Sequence, residues 1–286
     1  MSAKISAAPV DVLELYRWAT QDPPTQAAVL AEIYRRIRGA SARVLREDFA
    51  GNAADAVAWV AADSRHRAIA VDIDAPTLAY AKARAQRLLG DNICRIQFHC
   101  GDVLAPGTPV LERAQLLSVL NFSCFYFHQR TDLQRYFAHA ITCLDETGVF
   151  VLNVFGGSAA MKPRLDQHQI VPLAETGSSP LAPFSYEWEQ RSYEASHARL
   201  DCRIHFVVGD AGVPGGSRRI DDAFRYDWRL WSLPEIRECL IAAGFREVQV
   251  WRHTATETSG KTEVFLGPVD TIKDLDLWLA YVVGIR

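Results

Sequence analysis

Apolar positions along this chain recur at helical spacing, then at strand spacing, and the two patterns alternate. Asp11 to Ala19 and Pro24 to Ile37 carry apolar stripes (Leu15 and Trp18; Val29, Leu30 and Ile33). They predict two opening helices, the second entered at Pro23-Pro24 and ended by Gly39. From Arg43 a short run with β-branched Val44 reaches two acids, Glu47 and Asp48, breaks at Gly51, and resumes as the Ala-rich helix Ala53 to Ala62. Arg67 to Ile73 predicts a second strand, Ala75 to Leu89 an amphipathic helix, and Asn92 to His99 a third strand. Ala114 to Leu120 is nearly all apolar, as a buried parallel strand should be. Arg130 to Leu144 then reads as a helix and Val149 to Phe155 as a fifth strand. Five strand-helix repeats of this kind predict an α/β fold with a doubly wound sheet.

After Gly156-Gly157-Ser158 the rhythm stops. Pro163, Pro172, Pro180 and Pro183 punctuate an expected irregular loop. Three extended stretches follow, Phe184 to Tyr193, Ala198 to Val208 and Arg219 to Leu230, with turns at Glu194 to His197 and Gly209 to Gly216. Leu200, Cys202, Ile204, Phe206 and Val208 alternate onto one face, so the stretch predicts an inserted antiparallel meander. Its rings, among them Tyr186, Trp188, Tyr226 and Trp228, suit a lid that excludes water and shapes a pocket; most of them should simply pack the meander onto the sheet. Ser232 caps a closing helix, Leu233 to Ala243, which stops at Gly244. Val248 to Trp251 is expected as a sixth strand and Lys261 to Leu266 as a seventh, antiparallel one. The organisation expected is a helical cap over 1–40, a core over 41–157 and 231–286, and an inserted lid over 158–230.

Composition changes little in this picture. At 286 residues, 49% hydrophobic and 23% charged, with a net charge of −3, the chain is an ordinary globular sequence without the basic field of a nucleic-acid binder. Six cysteines without a Cys-x-x-Cys pair indicate neither a zinc site nor a disulfide scaffold, so no metal is expected. No apolar run reaches membrane length and the first twenty residues show no signal-peptide core, so a cytoplasmic protein is expected.

The candidate chemistry gathers at the strand ends. In an open α/β sheet, ligands bind outside the carboxyl ends of the strands where strand order reverses. That places the loop around Gly51 and the acid Asp72 over one crevice. A dinucleotide site wants three glycines there, so that backbone can approach a pyrophosphate; here only Gly51 stands, with Ala53 and Ala56 at the later places. Glu47 and Asp48 would repel a pyrophosphate and attract a cation such as the amino group of S-adenosylmethionine (SAM), while Asp72 accepts ribose hydroxyls. Three acids at successive strand ends, Glu47, Asp72 and Asp102, can address the amine, ribose and adenine of one ligand.

On these residues the chain resembles class I SAM-dependent methyltransferases. Leu45 to Ala53 is similar to the variant of their first motif ending Asp/Glu-x-x-x-Gly-x-Gly, departing from it at Ala53. Leu-Pro-Glu-Ile with Ala-Ala-Gly-Phe, followed by Val248 to Trp251, resembles their closing helix and strand. The resemblance implies a seven-stranded Rossmann-like methyltransferase sheet, a SAM cofactor and a small-molecule methyl acceptor, the last carried on nitrogen or oxygen. It implies contacts to the cofactor from Tyr16, Glu47, Gly51, Asn52, Asp72, Ile73, Asp102, Val103, Asn121 and Phe122. Tyr16 and Trp18 would fold over the cofactor mouth, as an N-terminal aromatic does in glycine N-methyltransferase, whose organisation is broadly similar. The Asn/Asp-Pro-Pro-Tyr/Phe tetrad of nucleic-acid amino-methyltransferases is absent, which argues against bases as acceptors. No catalytic side chain is singled out; Tyr126, His128 and Tyr186 are candidates, and a sulfonium methyl needs alignment more than a base. A homo-oligomer is left open, and so are two other readings: a SAM-binding protein that does not methylate, and an NAD-linked oxidoreductase.

Overall fold

The computed structural model describes residues 11–104, 112–172, 181–209, 216–258, 261–273 and 276–286. Residues 1–10 of the expected cap, Pro180 and most of the Gly209 to Gly216 turn lie outside them. Helix α1 (Val12–Thr20) is capped by the Asp11 side chain, and α2 (Pro23–Arg38) opens on two prolines and closes at Gly39, whose φ of 68° glycine adopts without strain.

The main sheet then grows outward from β1 (Val44–Asp48) through α3 (Ala54–Ala62), β2 (Arg67–Asp72), α4 (Ala75–Leu89) and β3 (Ile96–Cys100). The chain returns to the other side of β1 with β4 (Ala114–Val119), α5 (Arg130–Thr142) and β5 (Leu144–Gly156). All pairings among these five strands are parallel, and strand order reverses between β1 and β4.

Period-two alternation divides the core between the faces. Ala68 and Ala70 with Leu45 and Leu116 meet α2, α3 and α4, where small side chains let the Ala-rich helix approach closely. Ile69, Val71, Leu117, Phe150 and Leu152 turn to the opposite face, against Phe137 of α5.

The insertion is a second sheet of four strands, ordered β6 (Arg164–Ile170), β7 (Phe184–Glu194), β8 (Arg199–Gly209) and β9 (Ser217–Arg229). The expected face of Leu200 to Val208 is buried as a row. Residues 164–170, expected as loop, form instead an edge strand antiparallel to β7.

Helix α6 (Leu233–Ala242) carries a full capping box between Ser232 and Glu235. It leads to β10 (Glu247–Thr258), β11 (Lys261–Pro268) and β12 (Trp278–Ile285). Lys261 to Leu266 forms the expected antiparallel strand, within β11 at the sheet edge; β12, not foreseen from the sequence, lies antiparallel between β5 and β10 and brings the sheet to eight strands. No helix among the described residues is long and apolar enough to cross a membrane.

Candidate functional site

The loop from β1 to α3 is built from left-handed backbone. Phe49, Gly51 and Ala53 have φ of 56°, 51° and 51°. Nothing lies within 4 Å of a Cβ added to Gly51, so its requirement is conformational, not a matter of space. Ala53, at the place of the motif's last glycine, adopts the same left-handed conformation despite its side chain and is fully buried. Three N–H groups of this turn are engaged by side chains. Gly51 donates to Oδ2 of Asp72 at 2.7 Å, Ala54 to Oδ1 of Asn52 at 3.2 Å, and Ala56 to Oε2 of Glu47 at 2.8 Å. Asn52 also donates from its amide to Oε1 of Gln21 at 2.9 Å, which ties the loop to the turn after α1.

Glu47 and Asp48 do not act as a pair. Consecutive strand residues point to opposite faces. Glu47 turns under α3, whereas Asp48 turns into the core beneath α5, where Nε of Arg46 donates to it at 2.7 Å and the Tyr136 hydroxyl at 2.9 Å. The cation attraction expected of both acids therefore rests on Glu47 alone of the two. Burial first, then the nearby Asp55 carboxylate, pushes the Glu47 carboxyl well above its usual range, and burial with Asp22 lifts Asp55 to about 7.

The ends of β2 and β3 stand side by side, Gly101 N–H donating to the Asp72 carbonyl at 2.9 Å. Ile73 is 70% exposed beside them. Asp102 is exposed and its Oδ1 accepts the N–H of Leu104 at 2.8 Å; Val103 is buried.

At the end of β4 two further residues are left-handed, Asn121 (φ 52°) and Phe122 (φ 60°), held by the Phe122 N–H donating to Oδ1 of Asn153 at 2.9 Å. Here a cavity of about 300 Å³ opens between the main sheet, α1 and the inserted sheet. Tyr16, Asn121, Phe122 and Phe155 form its floor, and Tyr186, Trp188, Tyr226 and Trp228 its aromatic wall. Arg164, Asp166 and His168, alternate residues of β6, supply a polar row, with Arg164 Nη2 2.5 Å from Asp166 Oδ2.

Of the expected residues, Tyr16, Asn121, Phe122 and Tyr186 line this cavity, and Gly51, Asp72, Ile73, Asp102 and Val103 lie along the neighbouring strand ends. Trp18 does not join Tyr16. It donates to Oε1 of Glu14 at 3.0 Å and stacks under Arg17. His128 does not line the cavity; its Nε2–H donates to the Asp227 carbonyl at 2.7 Å, fastening β9 to the turn before α5. Tyr126 stands behind the wall, 6.0 Å from the Trp228 ring. Glu187 and Glu189 point away from the cavity, toward Arg219 and Arg191, because Tyr186, Trp188 and Gln190 take the inner face of β7. Burial raises the phenols of Tyr16, Tyr186 and Tyr226, so at neutral pH they are hydrogen-bonding neutral groups and not bases. The β6 row was not foreseen; the period-two spacing of Arg164, Asp166 and His168 was its one signal.

The sequence matches no family model and no curated protein. The structure is similar to solved structures over nearly its full length. A SAM-dependent methyltransferase from Clostridium acetobutylicum ATCC 824 is 16% identical, with a TM-score of 0.65 over 96% of this chain and 97% of that one. An amino pentose methyltransferase from Micromonospora echinaspora, solved with SAM bound, is 15% identical at a TM-score of 0.64, covering 97% and 98%. A sugar N-methyltransferase from Streptoalloteichus sp ATCC 53650 is 16% identical at 0.62, covering 100% and 96%. At this identity the likeness establishes the fold, a Rossmann-like methyltransferase sheet with an inserted antiparallel sheet.

Proposed function

We propose that this chain is a SAM-dependent methyltransferase that transfers a methyl group to a nitrogen or oxygen atom of a small molecule. The observation that carries the reading is the occupation of the turn amides. The N–H groups of Gly51, Ala54 and Ala56, which a pyrophosphate would use, are donated to Asp72, Asn52 and Glu47. That arrangement disfavours NAD and suits a ligand with ribose hydroxyls and a positive charge.

When bound, SAM would supply an activated sulfonium methyl. Asp72 would accept the ribose hydroxyls through lone pairs left after its backbone bonds, Ile73 and Val103 would flank the adenine, and Asp102 would accept its amino group. Asn121 and Phe122, in fixed left-handed backbone, would set the floor on which the methyl faces the cavity. The aromatic wall keeps water from the reacting atoms and presents π faces to an acceptor carrying or developing positive charge. Alignment of this kind can supply roughly 7–11 kcal/mol of barrier reduction in favourable cases, so no dedicated base is required.

The similar solved structures support this reading, since those described as an amino pentose methyltransferase and a sugar N-methyltransferase match 97% and 100% of this chain. The six cysteines are free thiols, which supports a reducing cytoplasmic setting. The cap over 1–40 and the lid over 158–230 would act as covers of the SAM-binding core.

The test is calorimetric titration with SAM, S-adenosylhomocysteine and NAD side by side, followed by methyl-transfer assays on a panel of small amines and alcohols. Binding of NAD alone would overturn the reading. Binding of the sulfur ligands with no transfer to any acceptor would point to a non-methylating SAM protein.

A further inference from the structure

The edge strand β6 turns its polar side to the cavity and an apolar residue to solvent. Arg164, Asp166 and His168 line the cavity, while Leu165, between the first two, is 54% exposed on the outer face. The opposite setting would bury the leucine and leave the ionic groups in water. A shift of one residue against β7 would produce it, because side chains alternate with period two. Gln190 of β7 opposes that shift. It is 2% exposed, pairs with Arg164, and donates from its amide to the carbonyls of Ala160 at 2.9 Å and Lys162 at 2.7 Å, just before the strand begins. On the outer face Gln167 donates to Oε1 of Glu187 at 3.0 Å, which holds the same register.

Stability does not account for this setting. The side chains of Arg164 and Asp166 are 30% and 37% exposed, where an ion pair adds little. Arg164 Nε is buried with no hydrogen-bond partner among the described residues, an unfavourable state for an N–H donor. Arg164 Nη2 stands 2.5 Å from Asp166 Oδ2, so the two charges offset each other. What the pair offers a ligand is an unused N–H donor beside a carboxylate with lone pairs to spare.

That combination discriminates by charge. An anionic group on the ligand would meet Asp166, and an ammonium would meet Arg164, so either gains one contact and suffers one repulsion. A hydroxyl group has no such conflict, since it accepts from the guanidinium and donates to the carboxylate. The neighbouring wall is aromatic, with Trp188 directly opposite Asp166 across the β6–β7 pairing. A molecule suited to both is apolar over one face and hydroxylated along one edge.

Resting on the methyl-transfer reading above, we propose that the Arg164–Asp166 pair selects the acceptor by binding neutral hydroxyl groups along one edge of it. The atom to be methylated is then left to the aromatic wall and to the floor at Asn121 and Phe122. The acceptor class is a small ring amine or alcohol with neighbouring hydroxyl groups and no charge along that edge.

Three ring amines test this: cyclohexylamine, an aminocyclohexanediol with neighbouring hydroxyls, and 1,4-diaminocyclohexane. Binding is measured calorimetrically with S-adenosylhomocysteine present, which permits no turnover, and methylation separately with SAM. The wild type should bind the aminodiol at least about tenfold more tightly than cyclohexylamine, a factor that should appear in KM more than in kcat. In Asp166→Leu that ratio should fall to about threefold or less. Arg164→Met leaves Asp166 without its cation and should tighten binding of 1,4-diaminocyclohexane at least about fivefold, a gain that a damaged fold cannot produce. Equal affinity of the wild type for aminodiol and cyclohexylamine, or no binding of either, overturns the proposal. An aminodiol preference that survives Asp166→Leu overturns it as well. Selective binding of the aminodiol without methylation would uphold the pair's role and overturn the methyl-transfer reading.

Discussion

The backbone N–H of Gly51 donates to Oδ2 of Asp72 at 2.7 Å, while Oδ1 of the same carboxylate accepts the N–H of Asp74 at 2.8 Å. One side chain thus joins the loop after β1, the end of β2 and the entry to α4. Asp72→Ala should therefore act twice. Affinity for S-adenosylhomocysteine should drop at least about tenfold, and stability to urea should fall by about 1–3 kcal/mol, the scale of carboxylate bonds to backbone amides. Unchanged affinity would remove Asp72 from the site.

Arg46 and Asp48 form an ion pair almost fully enclosed beneath α5, completed by the Tyr136 hydroxyl. Taking away one partner strands a charge in the core, so Asp48→Ala should cost about 3–5 kcal/mol in denaturant unfolding. Arg46→Met with Asp48→Leu should recover most of that loss. A small effect of the single change would mean that water reaches the guanidinium.

Asp55 gives a pH prediction with a definite sign. Burial and Asp22 raise its carboxyl from 3.8 to about 7. Between these values the unfolded chain releases a proton that the folded chain keeps, so stability declines as pH rises and levels off above about pH 7. Asp55→Asn removes the titration. The melting temperature of this variant should exceed that of the wild type by several degrees near pH 8, and the gap should close toward about pH 4. A gap that ignores pH would refute the buried acid.

Tyr186 and Trp188 face the cavity from the inserted sheet. Trp188→Ala should raise the acceptor KM roughly 3- to 30-fold, as loss of a π contact to a cationic group would, with cofactor affinity nearly unchanged. His128→Ala should loosen the bond to β9 and lower stability by about 1 kcal/mol without a matching loss of kcat. A large kcat loss with an unshifted melting temperature would return His128 to the catalytic candidates.

The strand-helix rhythm that organises the sheet was readable because each parallel strand is a continuous apolar run between amphipathic helices. What escaped has physical reasons. Arg164 to Ile170 is an edge strand exposed on most of its length, so it shows no apolar period; its identity comes from pairing with β7. Trp278 to Ile285 and Lys261 to Leu266 both look like strands, and only the continuous apolar character of the first marks it as the one enclosed between neighbours. Glu47 and Asp48 look like one acidic site in sequence, yet period two already sends them apart, with Arg46 on the face of Asp48. Asp55 stood in an otherwise apolar helix, a polar residue on a buried face, and that contrast was the available sign.

Of the six non-glycine residues with positive φ among the described residues, four border the crevice: Phe49, Ala53, Asn121 and Phe122. Such backbone persists only where the surroundings over-determine it. These two loops are therefore held by their surroundings, and they face α1 and the inserted sheet, which meet through the Tyr16 and Phe224 rings at 4.8 Å. The crevice thus has one side whose shape is set before any ligand arrives. Amide exchange should show this directly, slow at Gly51 and Phe122, whose N–H groups are held by Asp72 and Asn153.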